Sequence, residues 1–409
     1  MSSFSIALSG LTSASSDLDV TANNVANADT IGFKESRAEF ADVYAAGAVN
    51  LNTSSIGEGA RLASTAQQFT QGNITTTSSN LDLAISGDGF FTLADPSNGV
   101  VYTRNGEFSE DKNGNVVTST GQALQVYPPT TNGGFNTGTL TNLNLQTAQS
   151  APLATSTGAA ILNLPANSTV PTDAATFDPN DPLSYNESTS TTVYDSLGNG
   201  YPATFYFTQT ATTGVWNVNM LVNGVSAGPT QTLTFGANGQ VAAGGGALTF
   251  PNFAPTDGAT APQSMTFNFQ QSTQYGGSFG VTSINQNGFA TGQLSTVSID
   301  PTGIVSAVYT NGRSTELGQL ALANFPNPQG LKQLGDTNWA ETFTSGTHVS
   351  GTAGTAGFGS IQSGALESSN VDLTTELVNM ITAQRAFQAN AQVITTANQL
   401  SQTVINITH

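Results

Sequence analysis

Both ends of the chain carry apolar residues at alternating steps of three and four. No glycine or proline occurs from Ala365 to His409, so a helix over about 370–406 is predicted, roughly 55 Å long at 1.5 Å per residue. The spacing places one apolar row along each terminal helix, as in the seam of a coiled coil. We expect these rows to pack against other helices; they consist of Phe4, Leu8, Leu11, Leu18, Val25, Leu373, Leu377, Met380, Phe387, Ile394 and Ile405.

The C-terminal helix is predicted to start at a capping box and to be almost free of charge. Ser369 is followed three residues later by Asp372, which would stand in the place of the usual Glu. No charged side chain occurs from Ala386 to Ile407, whereas surface helices usually carry Glu and Lys. A helix this polar but uncharged is expected to pack against protein on most sides. The alternative is a core helix buried within one large domain.

The middle of the chain alternates apolar and polar residues between frequent turn signals. Trp216, Val218 and Met220 alternate with polar residues, and Asn105-Gly106 and Asn113-Gly114 are strong turn dipeptides. This pattern predicts antiparallel β sandwiches or barrels. We therefore expect a mainly β, discontinuous multi-domain chain whose long terminal α-helices form a coiled-coil-like inner domain.

Changes in composition divide the chain into four expected parts. The segment from about 148 to 190 is rich in Pro, Thr and Ser, which suggests the entry into a separate β domain. We expect a helical inner domain (1–30 and 365–409), an extended connector (31–71), a β-rich middle domain (72–147 and 284–364) and an outer β domain inserted into it (148–283).

Charge and cysteine content exclude several classes of function. Only 8% of the 409 residues are charged, and the net charge is −18, so binding to nucleic acid is not expected. The chain has no Cys and two His, which leaves little material for a metal site or a thiolate nucleophile. No apolar run is long enough to span a membrane. The N-terminus lacks the pattern of a cleaved signal peptide, so we expect any export to use another route.

Motifs of catalysis are also missing. The Gly-rich segment Gly351–Gly364 fits neither a dinucleotide-binding fingerprint nor a phosphate-binding loop. His348 is the one histidine away from the C-terminus, so a Ser-His-Asp relay would depend entirely on it. A pair of carboxylates can lie anywhere in a sequence, which leaves a polysaccharide hydrolase open. We predict no catalytic, cofactor-binding or metal-ligating residue, and no cofactor.

The most specific stretch of the sequence is N-N-V-A-N-A-D-T-I-G-F-K, at positions 23–34. It resembles the N-terminal signature of bacterial flagellar rod and hook proteins, and Gly364–Arg385 resembles the C-terminal motif of the same family. The likeness continues into 81–91, 102–108 and 320–325, and it is weaker between 148 and 283, where 193–199 carries it. The matching signature positions are Asn23, Asn24, Ala26, Asn27, Gly32, Phe33 and Lys34.

The resemblance implies a non-enzymatic structural subunit that polymerises through its terminal helices, so the residues of the two apolar rows are the candidate self-assembly residues. The product would be a hollow, flexible tube, the universal joint that carries torque from the rod to the filament. The implied location is the extracellular hook of the flagellum. The implied partners are further copies of the chain, the rod, the hook cap, the hook–filament junction proteins and the flagellar type III export apparatus. The long insertion 148–283 favours a hook subunit over a distal rod subunit.

Two further points stay open at this stage. Phe40 and Tyr44 resemble the element that early flagellar subunits present to the export gate, although a local aromatic cluster explains the pair equally well. Apart from the family, a secreted adhesin with β domains on a coiled-coil stalk would also combine heptad helices with β strands.

Overall fold

The computed structural model describes residues 2–43, 57–145 and 149–407. Helix α1 (Ser2–Ala26) and helix α2 (Leu373–Ile407) lie at the two ends of the chain, and a single 3₁₀ turn spans Pro328–Gly330. Everything else that is regular in the described residues is strand, so the mainly β fold with terminal helices is confirmed. Neither α1 nor α2 has an apolar stretch sufficient to cross a lipid bilayer.

The strands of the N-terminal third are β1 (Ser36–Asp42), β2 (Ala60–Gln67), β3 (Ile74–Thr76), β4 (Leu83–Ser86), β5 (Phe90–Asp95), β6 (Gly99–Thr103), β7 (Ser109–Glu110), β8 (Val116–Val117), β9 (Ala123–Tyr127) and β10 (Thr141–Asn142). The central strands are β11 (Thr157–Pro165), β12 (Glu187–Tyr194), β13 (Gly200–Gln209), β14 (Val215–Val222), β15 (Val225–Ser226), β16 (Gln231–Thr234), β17 (Ala247–Phe253), β18 (Gln263–Asn268), β19 (Thr273–Tyr275) and β20 (Gly280–Gln286). The remaining strands are β21 (Leu294–Ile299), β22 (Ile304–Tyr309), β23 (Ser314–Leu320), β24 (Leu322–Asn324), β25 (Lys332–Gly335), β26 (Asn338–Ala340), β27 (Val349–Gly351), β28 (Ser360–Ser363) and β29 (Ala365–Glu367).

The chain divides into two compact units. The first comprises 1–146, 296–307 and 314–409, and the second comprises 147–295 and 308–313. Both helices belong to the first unit, together with a large sheet in the order β21-β22-β23-β9-β5-β6-β26-β25. Its core includes Phe91, Leu124 and Leu322, all fully buried.

The two helices pack against each other in antiparallel fashion. Gly10 of α1 faces Asn390 of α2, since a Cβ placed on Gly10 would lie 2.6 Å from Asn390 Oδ1. Farther along, Thr21 of α1 and Glu376 of α2 line one pocket. The buried row of α1 is Ala7, Ala14 and Thr21, one residue every seven. Such small residues let the two backbones approach closely, and the pair forms the predicted coiled-coil-like element.

The segment 31–71, expected as an extended connector, carries a two-stranded ribbon. Strands β1 and β2 pair antiparallel with a register shift between Glu39 and Phe40. The ribbon lies against α1, because Ser13 Oγ donates to the carbonyl of Ala60 and Ser9 Oγ accepts from the Ala60 amide.

The second unit is a β sandwich built from two five-stranded sheets, β17-β18-β11-β19 with β20, and β12-β13-β14-β15 with β16. Between the sheets lies an apolar core with Phe205, Trp216 and Phe267 fully buried. An antiparallel sandwich was expected, but strand β11 pairs in parallel with β18 and β19, so this sandwich is mixed.

The two Asn-Gly dipeptides behave differently. Asn113-Gly114 lies in the turn between β7 and β8, which pair antiparallel as predicted. Asn105-Gly106 does not form a hairpin, because β6 pairs with β5 and β26 instead. Gly106 lies directly against the Leu83 carbonyl, where a Cβ would collide. Close packing, and not a turn, requires glycine at position 106.

Candidate functional site

The N-terminal signature forms the exit from α1 into the β region. The Asn24 side chain is buried and makes two bonds to one residue, since Nδ2 donates to the Ser36 carbonyl at 2.7 Å and Oδ1 accepts from its amide at 2.9 Å. Asn27 Nδ2 donates to the carbonyl of Asn23 at 2.9 Å and extends the last helical turn. The signature asparagines therefore fix the direction in which the chain leaves the helix.

Gly32 allows this exit loop to reach the β sheet. Its φ is +70°, a left-handed conformation, and a Cβ there would lie 2.5 Å from the Asn105 amide nitrogen. Its own amide donates to the main-chain carbonyl of Glu367 at 2.8 Å. The next two residues, Phe33 and Lys34, are buried. A residue with a side chain at position 32 would be both strained and too large.

Lys34 joins the two chain ends in a buried ion triad, defined here as Lys34, Arg104 and Glu367. Lys34 Nζ lies 2.6 Å from Glu367 Oε1, and neither side chain is exposed to solvent. Arg104 Nη1 lies 3.2 Å from Glu367 Oε2. Two further bonds go to the main chain, because Lys34 Nζ donates to the carbonyl of Thr70 and Arg104 Nη2 donates to that of Gly87. Arg104 Nε is buried and has no hydrogen-bond partner among the described residues.

The triad holds two cations against one buried anion. Burial lowers the pKa of Lys34, and the carboxylate of Glu367 opposes this shift. Burial also lowers the pKa of Arg104, against the combined effect of the Glu367 and Asp88 carboxylates. Lys34 and Glu367 lie 2.6 Å apart, and removing either partner would leave the other as a buried charge without compensation. The triad therefore connects the segment after α1, the β sheet and the segment before α2.

The C-terminal motif contacts the same exit loop that follows α1. Asn370 Oδ1 accepts from the Glu35 amide at 2.8 Å, and Asn370 Nδ2 donates to the carbonyl of Gln68 at 2.8 Å. Helix α2 begins at Leu373, directly after Asp372, whose Oδ1 accepts from the amides of Thr374 and Thr375. The predicted capping box starting at Ser369 is therefore wrong: Asp372 itself is the N-cap, because helical backbone begins only after it.

An acidic pocket, defined here by Asp17, Glu35 and Glu376, lies beside the junction between α1, the exit loop and α2. Its volume is about 270 Å³. Burial raises the pKa of Asp17. Burial raises the pKa of Glu35 as well, and the carboxylates of Glu376 and Asp372 raise it further, while Arg37, which also lines the pocket, lowers it. The net shift is upward, so the folded chain disfavours the ionised form of Glu35.

The predicted assembly residues fall into two groups. Those that lie half-buried along the helix pair are Leu11, Leu18, Val25, Met380 and Ile394. Those that are exposed are Phe4, Leu8, Leu373, Leu377 and Phe387. The Ile405 side chain lies outside the described residues. The row of α2 that faces α1 contains Glu376 and Ala383, both buried, and is thus displaced from the predicted seam. The row at Leu373 and Leu377 points away from α1.

Two residues of the triad had no predicted role. Arg104 and Glu367 lie within stretches that resemble family motifs, but nothing in the local pattern connects them. One signal was available in the sequence: the chain has only eight basic residues, and three of them, Lys34, Arg104 and Arg385, fall inside such motifs. Of the export-gate candidates, Phe40 is exposed on β1, and Tyr44 lies outside the described residues.

The described residues contain no group of three or more His, Cys, Asp or Glu arranged to hold a metal ion. A pair of acidic residues does meet in the second unit, where Asn199 Nδ2 contacts Asp257 Oδ2 at 2.6 Å and Asp195 Oδ2 at 3.3 Å. Tyr201 also donates to Asp257 Oδ2, at 2.7 Å. Both carboxylates are occupied by donors of their own unit, so the contacts fasten two loops together.

Four family models match successive parts of the chain. They are described as flagella basal body rod protein (residues 4–34), flagellar hook protein FlgE/F/G D1 domain (84–178), flagellar basal body protein FlaE D2 domain (163–289) and flagellar basal body rod FlgEFG protein C-terminal (362–407). The first and last of these cover the two helices and the motifs that meet at the ion triad. All four models describe proteins of the bacterial flagellar rod and hook.

Whole-chain relatives identify the family. The chain is 40% identical to the flagellar hook protein FlgE of Escherichia coli strain K12, with 99% of each chain covered. It is 40% identical to the same protein of Salmonella typhimurium (99% of this chain, 100% of the relative) and 32% identical to that of Borreliella burgdorferi (98% of each). The chain therefore belongs to the flagellar hook protein FlgE family.

A solved structure supports the fold. The crystal structure of Helicobacter pylori flagellar hook protein FlgE2 aligns with a TM-score of 0.52, covering 72% of this chain and all of that one at 14% sequence identity. The family is one of structural proteins, and this chain is a structural subunit of the flagellar hook.

Proposed function

We propose that the chain polymerises through the faces of α1 and α2 that are left uncovered within the subunit. Copies would assemble into a hollow, flexible tube that serves as a universal joint between rod and filament. In this arrangement 1–30 and 365–409 form the inner wall, the β-rich middle domain (72–147 and 284–364) surrounds it, and 148–283 is the outer domain. The ion triad transmits load between the helix pair and the β sheet.

The observation that carries the proposal is the apolar surface of the helix pair. Leu377 is 50% exposed, and the apolar side chains Val378, Ile381, Val393 and Leu400 of α2 are exposed as well. A helix that exposes this many large apolar side chains is typical of an interaction site. Within the subunit, α1 covers one side of α2. In the polymer, a further copy of the chain covers the exposed side of α2.

The partners and the route of export follow from family membership. We infer contacts with the rod, the hook cap and the hook–filament junction proteins, and passage through the flagellar type III export apparatus without a cleaved signal peptide. Phe40 is our candidate for gate recognition, together with Tyr44. We assign the chain no enzymatic role, because the resemblance implies a purely mechanical one.

A pair of charge substitutions tests the polymer proposal. Leu377→Asp places a carboxylate on the exposed face of α2, whereas Ala383→Asp places one on the face buried against α1. The monomer should tolerate Leu377→Asp, because its side chain is already half in water. Ala383→Asp should lower monomer stability by several kcal/mol, since an unpaired charge is then buried.

The measurements are thermal unfolding of the monomer and sedimentation of polymer. We expect Leu377→Asp to abolish sedimenting polymer with an unchanged monomer melting temperature. Normal tubes from Leu377→Asp would contradict the proposal, because the exposed face of α2 would then not contact another copy. Wild-type protein that forms no tubes at high concentration would contradict it also.

A further inference from the structure

Nine asparagines of the described residues are followed directly by glycine. In such a pair the main-chain nitrogen of glycine can attack the asparagine Cγ. An N–Cγ bond forms, the glycine N–H proton is lost to solvent, and the side-chain nitrogen takes up a proton and leaves as ammonia. Water then opens the succinimide ring at either carbonyl group, which gives aspartate or isoaspartate. The nine asparagines are Asn98, Asn105, Asn113, Asn132, Asn199, Asn223, Asn238, Asn287 and Asn311.

The reaction requires that two groups of the dipeptide are not held by hydrogen bonds. The asparagine side chain has to rotate until Cγ is about 3–3.5 Å from the glycine nitrogen, as in any reactive conformer. The glycine N–H has to face solvent, because its proton is lost in the attack. A hydrogen bond to either group has to break first, which slows the reaction.

The fold holds most of the nine side chains in place. Asn311 Nδ2 donates to the Ala290 carbonyl at 2.8 Å, and Asn311 Oδ1 accepts from the Arg313 amide at 3.1 Å. Asn238 and Asn287 are likewise bonded through both side-chain polar atoms. The other side chains with a hydrogen bond are those of Asn98, Asn105, Asn113 and Asn199.

The side chains of Asn132 and Asn223 have no hydrogen-bond partner within the part of the chain that the structure describes. The two dipeptides differ in the second group, because the Gly133 amide donates to the Thr130 carbonyl at 3.2 Å. The Gly224 amide has no such partner among the described residues. Asn223-Gly224 is therefore the dipeptide in which the structure leaves both reacting groups unbonded.

Asn223 and Gly224 form the two-residue turn between β14 and β15, where Val222 pairs with Val225. Their φ angles are +50° and +80°, as in the type I′ turns of tight hairpins. This left-handed backbone points the glycine nitrogen away from the asparagine Cγ, so the turn has to open before the ring can close.

The end of the hairpin is weakly held. Strand β15 has two residues, Val225 and Ser226, both exposed, and it pairs with β14 alone. Short, exposed segments of this kind open locally at little cost in free energy. We infer that Asn223 is the principal site of spontaneous deamidation in the folded chain. The inference concerns the second unit by itself and does not rest on polymer formation.

The product changes the hairpin as well as its charge. Isoaspartate adds a methylene group to the main chain, and a two-residue turn has no room for it without loss of the register between Val222 and Val225. Either product adds one carboxylate to a chain whose net charge is already −18.

The test follows all nine dipeptides in one sample of full-length chain at mildly alkaline pH, by peptide mapping with mass spectrometry. We expect Asn223 to react first, about tenfold faster than Asn311, a ratio that corresponds to about 1.4 kcal/mol of activation free energy. A parallel sample unfolded in urea removes the hydrogen bonds, and the nine rates should then converge. The same order of rates in urea would overturn the inference, because sequence neighbours and not the fold would then determine it. Earlier reaction at any of the bonded asparagines in the folded chain would overturn it also.

Two matched variants check the assignment. Asn223→Gln should remove the early isoaspartate that labelling with isoaspartyl methyltransferase detects, because glutamine would have to close a larger ring. Asn132→Gln, the control in the other unbonded dipeptide, should keep the labelling of the wild type. The opposite result would place the site in the loop between β9 and β10 and overturn the inference. If Asn223→Gln fails to fold, which the fluorescence of the buried Trp216 reports, the peptide map of the wild type decides alone.

Discussion

Replacing Glu367 with Gln tests whether the buried ion triad holds the two chain ends together. The side chain is completely buried and accepts three hydrogen bonds, from Lys34 Nζ at 2.6 Å, the Gly72 amide at 2.9 Å and Arg104 Nη1 at 3.2 Å. Gln has the same shape but no charge, and its NH₂ group must face one of these donors. Both cations are left without their nearest anion.

The expected cost follows from this geometry. Removing one partner of a buried pair costs about 3–5 kcal/mol, because the remaining charge is desolvated without compensation. For a domain of about 150–250 residues, each kcal/mol lowers the melting temperature by about 2–4 °C. We therefore expect Glu367→Gln to lower the melting temperature of the first unit by about 10 °C.

The chain provides a separate reporter for each unit. Its two tryptophans are Trp339, buried in the first unit, and Trp216, buried in the second. In a Trp216→Phe background, fluorescence reports the unfolding of the first unit alone. The matched control is Glu39→Gln, which removes the carboxylate of the exposed pair with Arg37 and should leave the melting temperature close to that of wild type, because solvent screens an exposed pair. Equal shifts for Glu367→Gln and Glu39→Gln would refute the argument.

Two further changes address the same junction. Gly32→Ala should destabilise the first unit by well over the roughly 1–2 kcal/mol that a left-handed alanine costs, because its Cβ would collide with the main chain. The control is Gly99→Ala, which has φ +77° but open space around it and should cost only the backbone strain. Equal unfolding temperatures for the two variants would contradict the close approach at Gly32. The pKa of Glu35 is raised in the folded chain, so folding is penalised at neutral pH and the penalty is relieved as pH falls to the ordinary value of 4.5. Glu35→Gln should therefore melt above wild type at pH 7 and together with it below pH 4.5, while the same change at the exposed Glu316 should have little effect; a constant difference across pH would contradict the acidic pocket.

The local sequence pattern was sufficient to predict the helices and many of the turns. The three-and-four spacing of apolar residues and the absence of Gly and Pro after Ala365 predict α2, because helix formation depends on neighbours within one or two turns. The turn at Asn113-Gly114 is likewise determined by the backbone preferences of two adjacent residues. The turn predicted at Asn105-Gly106 was wrong, because the glycine is required there by the close carbonyl of Leu83, which belongs to another strand.

Which face of each helix is buried within the subunit was only partly predictable. Spacing defines an apolar row, but it does not tell whether that row meets the other helix of the same chain or another molecule. In the structure α1 covers the row of Ala383 and leaves Leu377 exposed. The choice follows from close approach, because the small residues Ala14 and Ala383 allow two backbones to come together where leucine would hold them apart.

The sequence by itself determined two terminal helices, a β-rich middle and the signature that marks the family, since each depends on short-range spacing or on residues contiguous in the chain. Only the tertiary structure decided what the signature does. Lys34 and Glu367 are 333 positions apart, and Arg104 comes from a third segment. No local pattern links them, because an ion pair depends on distance in space. Three charges become one buried junction only after the sheet has brought both ends of the chain to the same place.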